Sequence, residues 1–304
     1  MRKSKFWGLT VPALLATFLW GTAFPAVKTG YALFAIGNGD TAGQMLFAGV
    51  RFAVAGLLTF AAEAAVRRRL VLPERRHLPC LVLLALVMTY LQYLFYYIGI
   101  ANTSGVKGAI LNASGTFVTM ILAHFFCADD RLNGRKAAGC LLGFAGVVLI
   151  HLGGEMGGFA LRGEGFMLIA AACFAVGSLL SKRVSRGLSP MVVTGFHLFA
   201  GGMGLILTGL AMGGRLTNWS VAGTGVLVYL ACLSAGAYTL WTLLFERYAA
   251  SAVSVYSLMI PVFGSLLSAL VLGEPLFRLQ NLLALALVCG GIVIVNTTKK
   301  TGRS

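Results

Sequence analysis

The chain alternates long apolar stretches with short connections that hold nearly all of its charge. Five stretches, Leu78–Ile100, Gly108–Ala128, Trp219–Phe245, Tyr248–Gly273 and Leu279–Thr298, contain no Asp, Glu, Lys or Arg. A helix of about 20 apolar residues, rising 1.5 Å each, crosses the hydrocarbon core of a bilayer. Val11–Val27 with its extension, Ala42–Ala62 interrupted by Arg51, Ala137–Gly154, Gly165–Ser181 and Met191–Met212 follow the same pattern with less margin. A single soluble core has no use for ten such runs. The pattern predicts an all-α membrane protein with ten transmembrane helices.

Sliding the chain along itself by 145 residues aligns Thr89 with Ser234, Tyr93 with Tyr238, Asp129 with Glu274, Gly146 with Gly291 and Val148 with Val293. Slightly different offsets pair Lys28 with Lys182 and Arg51 with His197. Identities are sparse, but the span boundaries coincide, as expected of a duplication into residues 1–153 and 164–298. Five spans per half is an odd number, so the second half enters the membrane in the opposite sense. Two inverted five-helix repeats of this kind build many secondary transporters, with the substrate near the midplane between them. The join at Gly153–Gly163 is glycine-rich and reads as a flexible connection on the outer side.

Composition and charge narrow the class. Charged residues are 11% of the 304 and hydrophobic ones 58%, too little polar surface to solubilise a globule of this size. A net charge of +15 would suggest nucleic acid in a soluble protein. Here the basic residues sit between spans. With the N-terminus inside, all 24 Lys and Arg except Lys28, Arg51, Lys107, Arg162, Arg215 and Arg278 fall in cytoplasmic segments. That bias places both termini in the cytoplasm, in the inner membrane, and makes nucleic acid an improbable partner. The basic segment Arg67–His77 also suits anionic lipid headgroups. The first apolar run, with no clear cleavage site before Lys28, reads as an uncleaved span. The six cysteines form no Cys-x-x-Cys pair and read as packing residues.

Several residues resemble those of the EamA-type transporters of the drug/metabolite transporter superfamily. They are Trp20-Gly21-Thr22-Ala23-Phe24-Pro25 with Lys28 in the first span, Arg51-Phe52 in the second, and Pro261 followed by Leu272-Gly273-Glu274-Pro275 in the ninth. The first half departs from this pattern, with Thr116 opposite Pro261 and Asp129-Asp130 opposite Glu274-Pro275. The resemblance runs from about Leu9 to Val295. It implies a carrier, often an exporter, of amino acids or related metabolites that works without ATP; no cofactor is expected.

Candidate binding residues follow from helical spacing. Thr89, Tyr93 and Tyr96 share one face of span 3, and Ser234, Tyr238 and Trp241 share the matching face of span 8. Hydroxyls to orient a solute and rings to give contact area are what two walls of an amphipathic cavity need. Trp20, Tyr93, Tyr96, Asn112, Tyr238 and Trp241 form the expected substrate wall; a tyrosine belt at the water interface is the bland alternative. Asn112 with Thr116, and Ser254 with Ser257 and Pro261, mark a cavity or bend in spans 4 and 9. Arg51 and His197, ionisable within spans, are candidates for a charge or coupling role or for structural anchors.

Lys28 and Lys182 read as snorkelling span ends and Glu63 with Arg67 as a helix-end pair. Gly37-x-Gly39-x-x-Ala42 reads as a chance match to a dinucleotide fingerprint, and His151 with Glu155 as a weak metal pair. The resulting expectation is a secondary carrier, working in the direction of export, for a small metabolite or amino-acid-like solute, with oligomeric state left open. A multidrug or cation exporter is the rival, disfavoured because every acidic residue falls at a span end or in a loop. A membrane-embedded enzyme or scaffold is the other, and no nucleophile–base constellation supports it.

Overall fold

The computed structural model describes residues 2–37, 39–69, 71, 73–103, 108, 111–128, 130–150, 159–272 and 279–297. Among them every regular element is helical. Most of Gly153–Gly163, and Lys107, Asp129, His151, Glu155 and Gly273–Arg278, lie outside the described residues.

Helix α1 spans Arg2–Leu33, α2 Thr41–Arg67 and α3 Arg75–Ala101. They are followed by α4 (Leu111–Phe126), α5 (Gly134–Ile150) and α6 (Leu161–Val184). Then come α7 (Pro190–Ala211) and α8 (Val221–Arg247). Helix α9 runs through Ala250–Ser254, Val255–Leu258 and Met259–Leu272, and α10 covers Leu279–Asn296. Helix starts carry their expected signals: Asp40 and Ser220 accept from Gly43 N and Gly223 N at 2.8 and 3.0 Å, and Pro190 opens α7.

Six of these helices are long and apolar enough to cross a membrane: α1 from Trp7, α2, α3, α6, α7 and α8. Apolar stretches at Leu111–Phe126, Ala250–Gly264 and Leu282–Asn296 are shorter. Three of the uncharged runs read from the sequence are not uniform helices, α3 among them with a π-helical stretch at Ala85–Leu91. Helix α4 is broken by a turn at Ser114, and α9 tightens to a 3-10 helix over Val255–Leu258. In both places a serine bonds back to the preceding turn, Ser114 Oγ to Leu111 O at 2.5 Å and Ser257 Oγ to Ser254 O at 2.7 Å. Such back-bonding competes with the α-helical ladder.

The side chains are arranged for lipid. Val11, Leu15 and Phe18 form one exposed face of α1, and Met203, Leu207 and Leu210 one of α7, at i, i+4 and i+7 spacing. Thr89, Arg51, His197, Ser234, Thr194 and Thr242 are buried instead. Polar groups inside and apolar faces outside are what hydrocarbon surroundings demand.

Helix contacts recur when the halves are exchanged. Helix α1 packs on α8 and α9, as α6 does on α3 and α4; α2 meets α8 as α7 meets α3. Helices α2 with α7, α4 with α9, and α5 with α10 pair with their own counterparts. Glycine permits the closest of these crossings, since a Cβ at Gly56 would lie 2.7 Å from Gly195 O, and one at Gly139 would lie 2.8 Å from Gly291 O.

Candidate functional site

Helices α1, α2, α3, α7 and α8 bring together most of the residues expected at a substrate wall. Tyr93 and Tyr238, 145 positions apart, join hydroxyl to hydroxyl at 2.7 Å. On either side of this link lie two further hydrogen bonds. Arg51 Nε donates to Ser234 Oγ at 2.8 Å, and Thr89 Oγ1 pairs with His197 Nδ1 at 2.8 Å. Arg51 aligns with His197 and Thr89 with Ser234, so the two bonds exchange when the halves exchange. The symmetric tyrosine pair stands between them.

Rings complete the cluster. Trp20 meets Tyr238 and Trp241 edge-on, with centroids 5.1 and 5.0 Å apart, and Phe52 tilts against Tyr93 at 4.4 Å. His197 lies 5.5 Å from the Tyr238 ring, and Tyr96 and Tyr97 extend the cluster along α3. Tyr93 and Tyr96 are enclosed by protein, yet both keep accessible surface. Helix α3 reaches this cluster through a π-helical stretch, Ala85–Leu91, which carries Thr89. Such widened turns recur at functional sites, where they re-aim the side chains that follow.

Not every sequence candidate arrives. Asn112 stands exposed on α4, outside the aromatic cluster, while its neighbour Thr116 bonds Ser257 of α9 at 2.7 Å. Lys28 is exposed, whereas Lys182 is 5% exposed and does not snorkel outward, because it continues the packed face of Ser178 and Ser181 on α6. Glu63 is buried with Arg67 Nε at 3.4 Å, beyond hydrogen-bond geometry. Sequence reasoning missed Tyr31, Tyr97 and the Thr194–Thr242 bond of 2.9 Å between α7 and α8. Tyr97 stands four residues after Tyr93 and packs against its ring, with centroids 6.1 Å apart, so helical spacing could have found it.

Chemically the cluster brings together aromatic faces, hydroxyls, one guanidinium and one imidazole. Among the described residues no three His, Cys, Asp or Glu side chains converge to hold a metal.

Known proteins share this chain's sequence and shape. The model of the EamA-like transporter family matches residues 7–152 and 161–297. A probable amino-acid metabolite efflux pump of Escherichia coli (strain K12) is 29% identical over 92% of this chain and 92% of its own length. An uncharacterized transporter of Synechocystis sp. is 30% identical over 95% of this chain and 89% of its own. A solved crystal structure shares the fold at a TM-score of 0.77 and 21% identity, covering 95% of this chain and 96% of that one. With both of its halves matched, the chain belongs to the EamA-like transporter family and is a multi-pass membrane protein.

Proposed function

We propose that the protein is a secondary carrier in the cytoplasmic membrane that exports a small amino-acid-like or metabolite solute by alternating access. In this reading ten helices cross the bilayer as two inverted five-helix repeats, residues 1–153 and 164–298, with both termini in the cytoplasm. The observation that carries it is the Tyr93–Tyr238 bond, flanked by the exchangeable pairs Arg51–Ser234 and His197–Thr89. Equivalent residues of two inverted halves meeting at one point give a site that each half can close from its own side. The interrupted helices α4 and α9, bonded through Thr116 and Ser257, give each half a place to bend. The two matched ranges of the family and the efflux-pump name of the Escherichia coli relative support the same reading. Trp20, Tyr93, Tyr96, Tyr238 and Trp241 form the wall of the site, and Arg51 and His197 are its ionisable groups.

Purified protein in liposomes should move amino acids or related metabolites without ATP. Tyr93→Ala and Tyr96→Ala should each cut that flux about tenfold, the effect of roughly 1.4 kcal/mol lost from ring and hydroxyl contacts. Arg68→Ala, in the exposed connection after α2, serves as the control and should leave flux unchanged. Flux that requires ATP would remove the carrier reading. Normal flux through a well-folded Tyr93→Ala/Trp241→Ala protein would remove the wall.

Topology has its own test. In a variant lacking the six native cysteines, Thr217→Cys between α7 and α8 should react with an impermeant thiol reagent added outside intact cells. Arg186→Cys, between α6 and α7, should react only after permeabilisation. The reverse pattern would contradict the assigned orientation.

A further inference from the structure

We infer that Arg51 is the anchor for a single carboxylate group on the transported solute, gripped by the Nη side of its guanidinium. This rests on the carrier reading above. Arg51 lies inside α2 and is 5% exposed. A guanidinium offers five N–H donors. Among the described residues, Arg51 makes one hydrogen bond, Nε–H to Ser234, and no carboxylate pairs with it. The ion pairs described elsewhere, Glu63–Arg67, Glu74–Arg76 and Asp130–Lys136, do not reach it.

Burying a cation without a carboxylate partner is costly, several kcal/mol even after relaxation, and the Phe52 ring 5.0 Å from the guanidinium offsets only part of it. A site that retains one is suited to an anionic occupant. Its surroundings are rich in donors as well. The Tyr93 and Tyr238 hydroxyls, bonded to each other at 2.7 Å, leave one O–H between them free to donate. The indole N–H of Trp241, one turn beyond Tyr238, is buried without a partner. A carboxylate is an acceptor-only group whose two oxygens match the guanidinium fork. Net charge favours it over a phosphate dianion, because one buried cation neutralises a carboxylate but leaves a dianion with an uncompensated charge. The Trp20 ring, edge-on to Tyr238, offers apolar contact for the remainder of the solute, while Phe52 is fully buried beneath the guanidinium and Tyr93.

The test uses the full-length protein in detergent and in liposomes. Thermal stability is followed with the twenty common L-amino acids and their 2-oxo acids, the corresponding amides and decarboxylated amines, and inorganic phosphate. At least one carboxylate should raise the melting temperature of the wild type while its amide and amine do not. Arg51→Gln should weaken that ligand about tenfold or more, the effect of losing a charge-assisted hydrogen bond, and Arg51→Lys should restore part of it. Should Arg51→Gln fail to fold, the wild-type contrast between acid and amide still decides.

The inference is overturned if no carboxylate stabilises the protein, if the amide serves as well as the acid, if phosphate alone does so, or if folded Arg51→Gln binds like the wild type. Failure here is distinguishable from failure of the carrier reading. ATP-independent flux of amides or amines as fast as of acids would keep the carrier and remove the carboxylate anchor. Acid-selective stabilisation without flux of any solute would do the opposite.

Discussion

Gly202→Val should leave little folded protein. Helices α2 and α7 cross so closely that a Cβ at Gly202 would lie 2.5 Å from Ala53 N and 2.8 Å from Gly49 O. These are backbone atoms, which no side-chain rotation can move aside. Overpacking a core typically costs about 1–3 kcal/mol when side chains can give way; here two helices must part, so about 3 kcal/mol or more is expected. The same crossing holds Arg51 and His197, so any partly folded population should also lose transport. Gly236 on α8 provides the comparison, because a Cβ there would meet nothing within 4 Å. Gly236→Val should elute as a single species and melt near wild type, while Gly202→Val aggregates or melts far below it. Equal melting of the two variants would show that the crossing does not depend on close backbone approach.

Asp130→Ala should be the most damaging change outside the membrane-crossing helices. The Asp130 carboxylate is 1% exposed in the connection between α4 and α5. It accepts from Ser251 N at 2.8 Å, from Ser251 Oγ, and from Lys136 Nζ at 2.6 Å. It therefore caps the start of α9, joining a connection of the first half to a helix of the second. Removing one partner of a buried pair costs about 3–5 kcal/mol. Lys136 retains some exposure to water, which lowers the expected loss to about 2–3 kcal/mol. Asp130→Asn keeps an acceptor for Ser251 and should recover roughly half of this, leaving the charge on Lys136 unpaired. Thermal melts of both variants, with hydrogen exchange at Ser251, make the comparison. If Ala and Asn melt together, the acceptor geometry has no role.

The two substitutions act on different contacts of the fold. The α2–α7 crossing packs backbone against backbone, while the Asp130–Ser251 cap fastens one end of α9 to the connection between α4 and α5. In an alternating-access carrier the first must persist in every state. The second is the kind of polar contact that one state makes and another releases, because its worth depends on exclusion of water. Transport rates of Asp130→Asn against its stability separate these roles: a rate that changes more than the melting temperature places the cap in the cycle.

The sequence by itself determined the class. Uncharged runs of bilayer length require helices, because a backbone in hydrocarbon must satisfy its own hydrogen bonds, and the 145-residue self-alignment is a property of the letters alone. It also brought Tyr93, Tyr238, Arg51 and His197 forward, since hydroxyls and charges inside apolar runs are costly wherever they point. What the periodicity of one helix does not contain is the partner of each residue. That Tyr93 bonds its own repeat equivalent, that Arg51 and His197 each bond a hydroxyl of the opposite half, and that Asn112 stays outside the cluster were decided by how the helices cross. The breaks in α4 and α9 and the π-helical turn before Tyr93 were equally invisible, because each shifts the face of the residues that follow by a fraction of a turn. Helical spacing fixes which residues share a face; only packing, through glycines that let backbones touch and buried polar groups that must find donors or acceptors, fixes what that face meets.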